Sequence, residues 1–233
     1  MEKQTEIRFD NYVDNYKHKI QDSIDFIGQD VDFFIDIKST ILFNLAKRYL
    51  GKLETVDALD IGSGIGLIDK NIHSFFRSLT GVDVENGVVE KAKIFNPGVH
   101  YKIYNGKTLP FENETFHLVF AVNVIHHVPT EQWRDFLNEM QRVLKQGGLA
   151  VVFEHNPLNP LTRKVVRECE FDRNAVLLRH KKLKELFSSS GLKKIDNSYI
   201  IFFPFKVKLF RIIEKYLKWI PLGAQHYVAG RKP

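Results

Sequence analysis

The run LDIGSGIG at residues 59–66 decides how this 233-residue chain is read. It follows a strand-like stretch over 55–59 and precedes a helix-like one. In Asp60-x-Gly62-x-Gly64-x-Gly66 the backbone can turn tightly where side chains would collide with a ligand, and helix N–H groups are left facing that ligand. The expectation is a site for a nucleotide-bearing cofactor. The third glycine of a dinucleotide fingerprint would fall at Leu67, which weakens a pyrophosphate reading. An acid ahead of the glycines suits a cationic group such as an amino-acid ammonium.

Asp83 closes the next apolar run, 79–84, where the carboxylate of a βαβ unit accepts from ribose hydroxyls. With the glycine loop, this resembles the class I S-adenosylmethionine-dependent methyltransferases, in their small-molecule, type 11/12-like branch, over roughly residues 9–154. LPFENETFHLVF, 109–120, is similar to a stretch that this family carries before its fourth strand, with Asn113 and His117 where acids are usual. RFDNYVDNYKH is similar to the family's opening, with Tyr16 in the tyrosine place and Lys17 in place of the acid. The resemblance implies S-adenosyl-L-methionine as cofactor, held by Tyr16, Asp60, Gly62, Ser63, Gly64, Gly66, Asp83, Val84, Asn105, Gly106 and Asn123. Two alternatives stay open: Asn105-Gly106 as a plain tight turn, and Tyr16 as a core tyrosine.

Composition agrees with one globular domain, since 44% hydrophobic residues can bury a full core. No apolar run reaches the ~18 residues of a spanning helix. The opening MEKQTEIRFDNY is polar and mixed in charge, unlike a signal peptide, and the single Cys169 excludes an internal disulfide. A cytoplasmic setting is expected, with Cys169 as a packing residue. Charge is uneven: residues 179–233 hold thirteen Lys or Arg against three acids, in a chain of net charge +6. That end is expected to meet something anionic.

Hydrophobic periodicity reads as an alternating α/β order. The expected fold is a Rossmann-like methyltransferase sheet of about seven strands, with an antiparallel C-terminal hairpin, helices on both faces and a helical N-terminal cap. Residues 1–50 would form the cap, 51–155 the cofactor-binding core, and 156–233 a substrate-side loop, amphipathic helix and terminal hairpin, all in a single domain. Helices are expected over 68–76, from a cap at Asn86 through 95, and from a cap at Thr130 toward 144, with Gly147-Gly148 stopping the last. The fourth and fifth strands are expected over 118–122 and 149–153. The hairpin pairs 194–203 with 225–230.

Methyl transfer needs alignment and exclusion of water, and a hydroxyl acceptor also needs a base. His126, His127 and His155 are the candidates, with one of the adjacent pair facing the pocket. Asn156 and Arg163, in EHNPLNPLTR, are candidate substrate contacts. No metal is expected, because the histidine pair lacks carboxylates in the obvious loops. The expected reaction is O-methylation of a small amphipathic acceptor, such as a lipid-linked sugar or quinone precursor. Nucleic acid is not an expected partner, for want of an appended RNA-binding module. Residues 204–223 read as a basic amphipathic helix, which suits packing on its own domain or association with the inner face of an anionic membrane. A nicotinamide oxidoreductase and a non-catalytic cofactor-binding scaffold are the competing readings.

Overall fold

In a computed structural model, residues 21–25, 28–204 and 208–233 are described, except for the side chains of residues 208, 209, 211 and 215. The expected cofactor contact Tyr16 lies outside the described residues. Strands β1 Asp57–Ile61, β2 Ser78–Asp83, β3 His100–Ile103, β4 Phe116–Val122, β5 Leu144–His155, β6 Lys193–Ile200 and β7 Gln225–Arg231 form one sheet. Its order is β3-β2-β1-β4-β5-β7-β6. The first five strands run parallel, and β7 is antiparallel to both β5 and β6. This terminal hairpin distinguishes the sheet from the dinucleotide-binding arrangement of six parallel strands.

The helices are α1 Val31–Leu50, α2 Asp69–Ile72, α3 Asn86–Phe95, α4 Trp133–Val143, α5 Pro160–Glu168, α6 His180–Ser189 and α7 Lys208–Leu217. Central strands covered on both faces read as unbroken apolar runs, and alternate residues serve opposite cores. Leu149, Val151 and Phe153 of β5 pack with Leu42, Leu45 and Ala46 of α1. Ala150 and Val152 pack with Leu137, Met140 and Val143 of α4 and Phe187 of α6.

Local chemistry sets several boundaries. Asp30 caps α1, accepting from Phe33 N at 2.8 Å, and Asn159 caps α5 ahead of Pro160 at its first turn. Elsewhere the expected ends move. The helix expected over 68–76 shortens to α2, because Ile72 leaves helical dihedrals (φ −123°, ψ −18°) and a 3₁₀ turn follows at His73–Phe75. Asn86 begins α3 without capping it, whereas Asp83 Oδ1 accepts from Val84 N at 2.7 Å and Glu85 N at 3.2 Å. Thr130 opens a 3₁₀ turn, not α4 itself. α4 ends at Val143, so Gly147-Gly148 falls within β5, beside a shift in its register with β4.

β1 leads outward to β2, while β4 lies on the opposite side of β1. That reversal of strand order leaves a crevice at the carboxyl ends of β1 and β4, where open α/β sheets place their ligands.

Candidate active site

The crevice is a cavity of about 500 Å³, within the ~300–1,000 Å³ usual for small-ligand sites. Its floor is the loop after β1. Gly62 sits at φ +73°, and a Cβ there would come within 2.6 Å of Val124, so no other residue fits unstrained. Gly64 N donates to Asp83 Oδ2 at 2.9 Å. With the bonds from Val84 and Glu85, three backbone donors therefore hold the Asp83 carboxylate at the cavity wall. Burial raises its pKa, and those three bonds oppose the rise.

Asp60 is buried beside the same floor. Among the described residues its Oδ1 has no hydrogen-bond partner, and neither do Ser63 Oγ and Asn123 Oδ1, all three residues lining the cavity. Burial, then Asp69 and Asp83, push the Asp60 pKa well above the usual carboxylate range. Buried polar atoms left unpaired on a cavity wall are costly unless a ligand completes them. A ligand ammonium at Asp60 and ribose hydroxyls at Asp83 meet that need, so these residues fit the cofactor implied by the resemblance. Asn123 adopts φ +58°, a left-handed conformation that asparagine tolerates better than most side chains.

The other expected cofactor residues divide. Val84 and Gly106 reach the cavity wall. Asn105 does not, because its Oδ1 accepts from Lys107 N at 2.9 Å and Thr108 N at 2.8 Å, closing a local turn. Gly66 serves packing: a side chain there would run into Asn96 and the Tyr101 hydroxyl.

A second group of residues lines the same cavity. Trp133 Nε1 donates to Ile125 O and Val128 O, both at 3.0 Å, pinning the 3₁₀ turn Ile125–His127. Glu154, at the end of β5, accepts from Val124 N and Ile125 N through Oε1 and from His126 Nδ1 through Oε2 at 2.7 Å. His126 Nε2 and His127 Nε2 lie 3.3 Å and 3.4 Å from the same oxygen, Asp172 Oδ1. Both histidines line the cavity, so the expectation that only one of the adjacent pair faces it is corrected. The turn is 3₁₀, and their rings lie 4.2 Å apart.

The electrostatics separate the three histidines. Burial opposes charge on His126, but Glu154 and Asp172 outweigh it and raise its pKa to about 10. His155 is buried beside His126, and burial followed by that positive neighbour lowers its pKa to about 4. The same two causes, in the same order, lower His127 to about 4. Two neutral imidazoles therefore face the cavity beside one cationic imidazole. Lys38 of α1 lines the same wall, its pKa lowered to about 8 by burial, which Glu154 partly offsets. Burial, then Asp172, push the Cys169 thiol up to about 11, which agrees with a packing residue.

The expected substrate contacts do not enter this cavity. Asn156 Nδ2 donates to Pro221 O at 3.1 Å and Gly223 O at 2.7 Å, and its Oδ1 accepts from Leu158 N. Asn159 Nδ2 donates to Leu222 O, and Thr162 Oγ1 to Ala224 O. The NPLNPLT segment is thus a clamp on the strand entry before β7. Arg163 is exposed on the outer face of α5.

Glu154, Asp172 and Lys38 were not anticipated as site residues. Two of them carried a signal: Lys38 interrupts the buried stripe Ile35, Leu42, Leu45 of α1, and Glu154 ends an apolar strand. Asp172 carried none, since only tertiary folding brings its loop back to the histidines.

Residues 59–152 match the family model described as "Methyltransferase domain". A sterol 4-C-methyltransferase of Caenorhabditis elegans is 35% identical over 107 residues, 43% of this chain and 31% of that protein. A ubiquinone biosynthesis O-methyltransferase of Rhizobium leguminosarum is 25% identical over 165 residues, 65% of each chain. Three longer curated relatives are matched over only 5%, 31% and 34% of their length. In structure, the chain is similar to a SAM-dependent methyltransferase of Thermotoga maritima, with a TM-score of 0.71, 19% identity, and coverage of 97% of this chain and 98% of that one. At that identity the likeness concerns the fold.

Proposed function

We propose that this chain, which carries a methyltransferase domain of the class I S-adenosylmethionine-dependent family, transfers a methyl group to a hydroxyl of a small amphipathic acceptor. The observation that supports this best is one cavity lined by two chemically different groups of residues. Asp60, Asp83 and the Gly62–Gly64 loop form one group, and the neutral imidazoles of His127 and His155 belong to the other.

Bound at the glycine loop, S-adenosylmethionine supplies an electrophilic methyl group carried on a sulfonium. Asp60 provides a carboxylate for its ammonium, and Asp83, already oriented by three backbone donors, accepts from the ribose hydroxyls. Val84 and Gly106 flank the place of the base. His127 and His155 can each take the proton that the acceptor hydroxyl releases as it attacks. His126, held between Glu154 and Asp172, is unsuited to that task in the ion-free chain, because both of its ring nitrogens already donate to those carboxylates.

An amphipathic acceptor is supported by the exposed surface of the segment between Pro204 and Ala224. Among the described residues, Pro204 and Ala224 line the cavity wall on either side of this segment. Among the described side chains of residues 208–223, Tyr216 is 75% exposed and Trp219 78%, with Ile212, Ile213 and Leu222 also exposed. Large apolar side chains beside the lysines of this region suit an anionic bilayer from which the acceptor would be drawn. No helix among the described residues is long and apolar enough to cross a membrane.

Transfer of isotopically labelled methyl from cofactor into a lipid extract, read by mass spectrometry, tests the proposal. A labelled product bearing a methyl ether supports it; label on nitrogen or carbon, or no labelled product from any extract, contradicts it.

A further inference from the structure

His126, His127 and Asp172 bring two imidazole nitrogens and a carboxylate oxygen together at the cavity wall, all within 4.8 Å of one another. We propose that they bind a divalent transition-metal ion, zinc being the best match to two nitrogen donors and one oxygen donor.

Four observations carry this. First, the two nitrogen-to-oxygen distances are those of ligands around an ion more than those of hydrogen bonds, and the two imidazole nitrogens, within 4.8 Å of each other, need only a small ring movement to share that ion. Asp172 Oδ1 lies 3.3 Å from His126 Nε2 and 3.4 Å from His127 Nε2. Charge-assisted N–H···O bonds are typically about 2.7–2.9 Å. Donor atoms on a tetrahedron with bonds of about 2.0–2.1 Å stand about 3.4 Å apart.

Second, His126 has the outer partner that zinc-binding histidines use. Its Nδ1 donates to Glu154 Oε2 at 2.7 Å, which fixes the ring so that Nε2, once an incoming ion displaces its proton, directs its lone pair toward Asp172. In the ion-free chain a proton on Nε2 lies between that nitrogen and Asp172 Oδ1, 3.3 Å apart, and a metal ion can take its place. Third, Glu154 is itself held, because its other oxygen accepts from Val124 N and Ile125 N. That fixes the carboxylate–histidine pair within the core, as a positioned second layer around an ion requires.

Fourth, the three donors line the cavity. With three protein ligands, a tetrahedral ion keeps one position open, which is the arrangement of catalytic rather than structural sites. That open position would face the acceptor, leaving His155 as the neutral base. The expectation of no metal rested on missing carboxylates, and the fold supplies two, Glu154 and Asp172. The ion's role in positioning the acceptor rests on the function proposed above, but its binding does not.

The test uses tag-free full-length protein dialysed against a chelator and then titrated calorimetrically with zinc chloride. Cobalt(II) serves as a spectroscopic probe of four-coordinate geometry. We expect one zinc per chain, intense visible absorption for the cobalt form, and affinity at least tenfold weaker in His127→Ala and Asp172→Asn. Glu154→Gln should weaken it about 10–100-fold. Circular dichroism identifies any variant that fails to fold; His127→Ala, at a partly exposed position, keeps the test decisive in that case. Absence of stoichiometric zinc binding, or binding unchanged in folded His127→Ala and Asp172→Asn, overturns the site. Cofactor binding to the metal-free protein is measured separately, so failure of the metal site and failure of the methyltransferase reading give different results.

Discussion

His126 Nδ1 lies 2.7 Å from Glu154 Oε2, and both side chains are sealed from solvent. The contact joins the turn after β4 to the end of β5, so it fixes the histidine wall of the cavity as well as the local charge. Burial resists ionisation of Glu154, yet the His126 charge and hydrogen bond hold its pKa at about 2.

Removing one partner of such a pair leaves the other charge buried and unpaired. Glu154→Gln in metal-free protein should therefore lower stability by about 3–5 kcal/mol in urea denaturation. A loss below about 1 kcal/mol would mean that the two groups do not form a buried ion pair.

The base assignment predicts a clear kinetic split. In metal-free protein, His155→Ala or His127→Ala, whichever removes the base, should lower turnover roughly 10²–10⁴-fold, with cofactor affinity unchanged. Loss of cofactor affinity instead would place the affected histidine among the cofactor contacts.

Asn156→Ala removes both donors to the segment before β7, at Pro221 O and Gly223 O. The buried Gly223 carbonyl loses its partner, which should cost about 1–3 kcal/mol, while the carbonyl of the exposed Pro221 can turn to water. Thermal denaturation measures this. Undiminished stability together with a raised acceptor KM would restore Asn156 as a substrate contact.

Asp57 gives the acid limb of stability. Burial works against its charge, but hydrogen bonds from Arg77 and Ser78 and the nearby Lys145 hold its pKa at about 2, below the ordinary value of about 3.9. A depressed folded-state pKa contributes stability above the unfolded value, and that contribution disappears as pH falls toward the folded value. The stability difference between the parent chain and Asp57→Asn should thus be level above pH about 4 and shrink between about 4 and 2. A difference that grows on acidification contradicts the assignment.

Association with bilayers should depend on both charge and apolar surface. Sedimentation with phosphatidylserine vesicles is expected at low salt, weakening as salt rises and in the double variant Tyr216→Ser, Trp219→Ser. No binding at low salt removes the membrane from the proposed function.

The fold was legible where local pattern and tertiary need coincide. The glycine loop, Asp83 and the terminal hairpin each declare themselves within a few residues, because a tight turn, a strand end and alternating apolar runs are local properties. Helix ends were less legible. Asn86 and Thr130 have capping side chains, but Asp83 and the 3₁₀ turn ahead of Trp133 decide how those helices begin. The histidine group was half legible. His126 and His127 stand out in sequence, whereas their partners Glu154 and Asp172 lie 28 and 46 residues beyond His126 and meet it only once β5 and the following loop have folded. Asn156 and Arg163 misled for a related reason. A polar loop at the sheet's carboxyl edge suggests ligand contacts, yet Asn156 bonds to backbone and Arg163 points outward.

Isothermal calorimetry with S-adenosylmethionine and with its demethylated product tests the account most directly, using the parent chain, Asp60→Asn and Asp83→Ala. One site per chain is predicted, with affinity about 10–100-fold weaker in each folded variant, as for loss of a hydrogen bond to a charged group. No heat with either ligand in the parent chain, or equal affinity in all three proteins, would contradict the claim that this cavity is built for that cofactor.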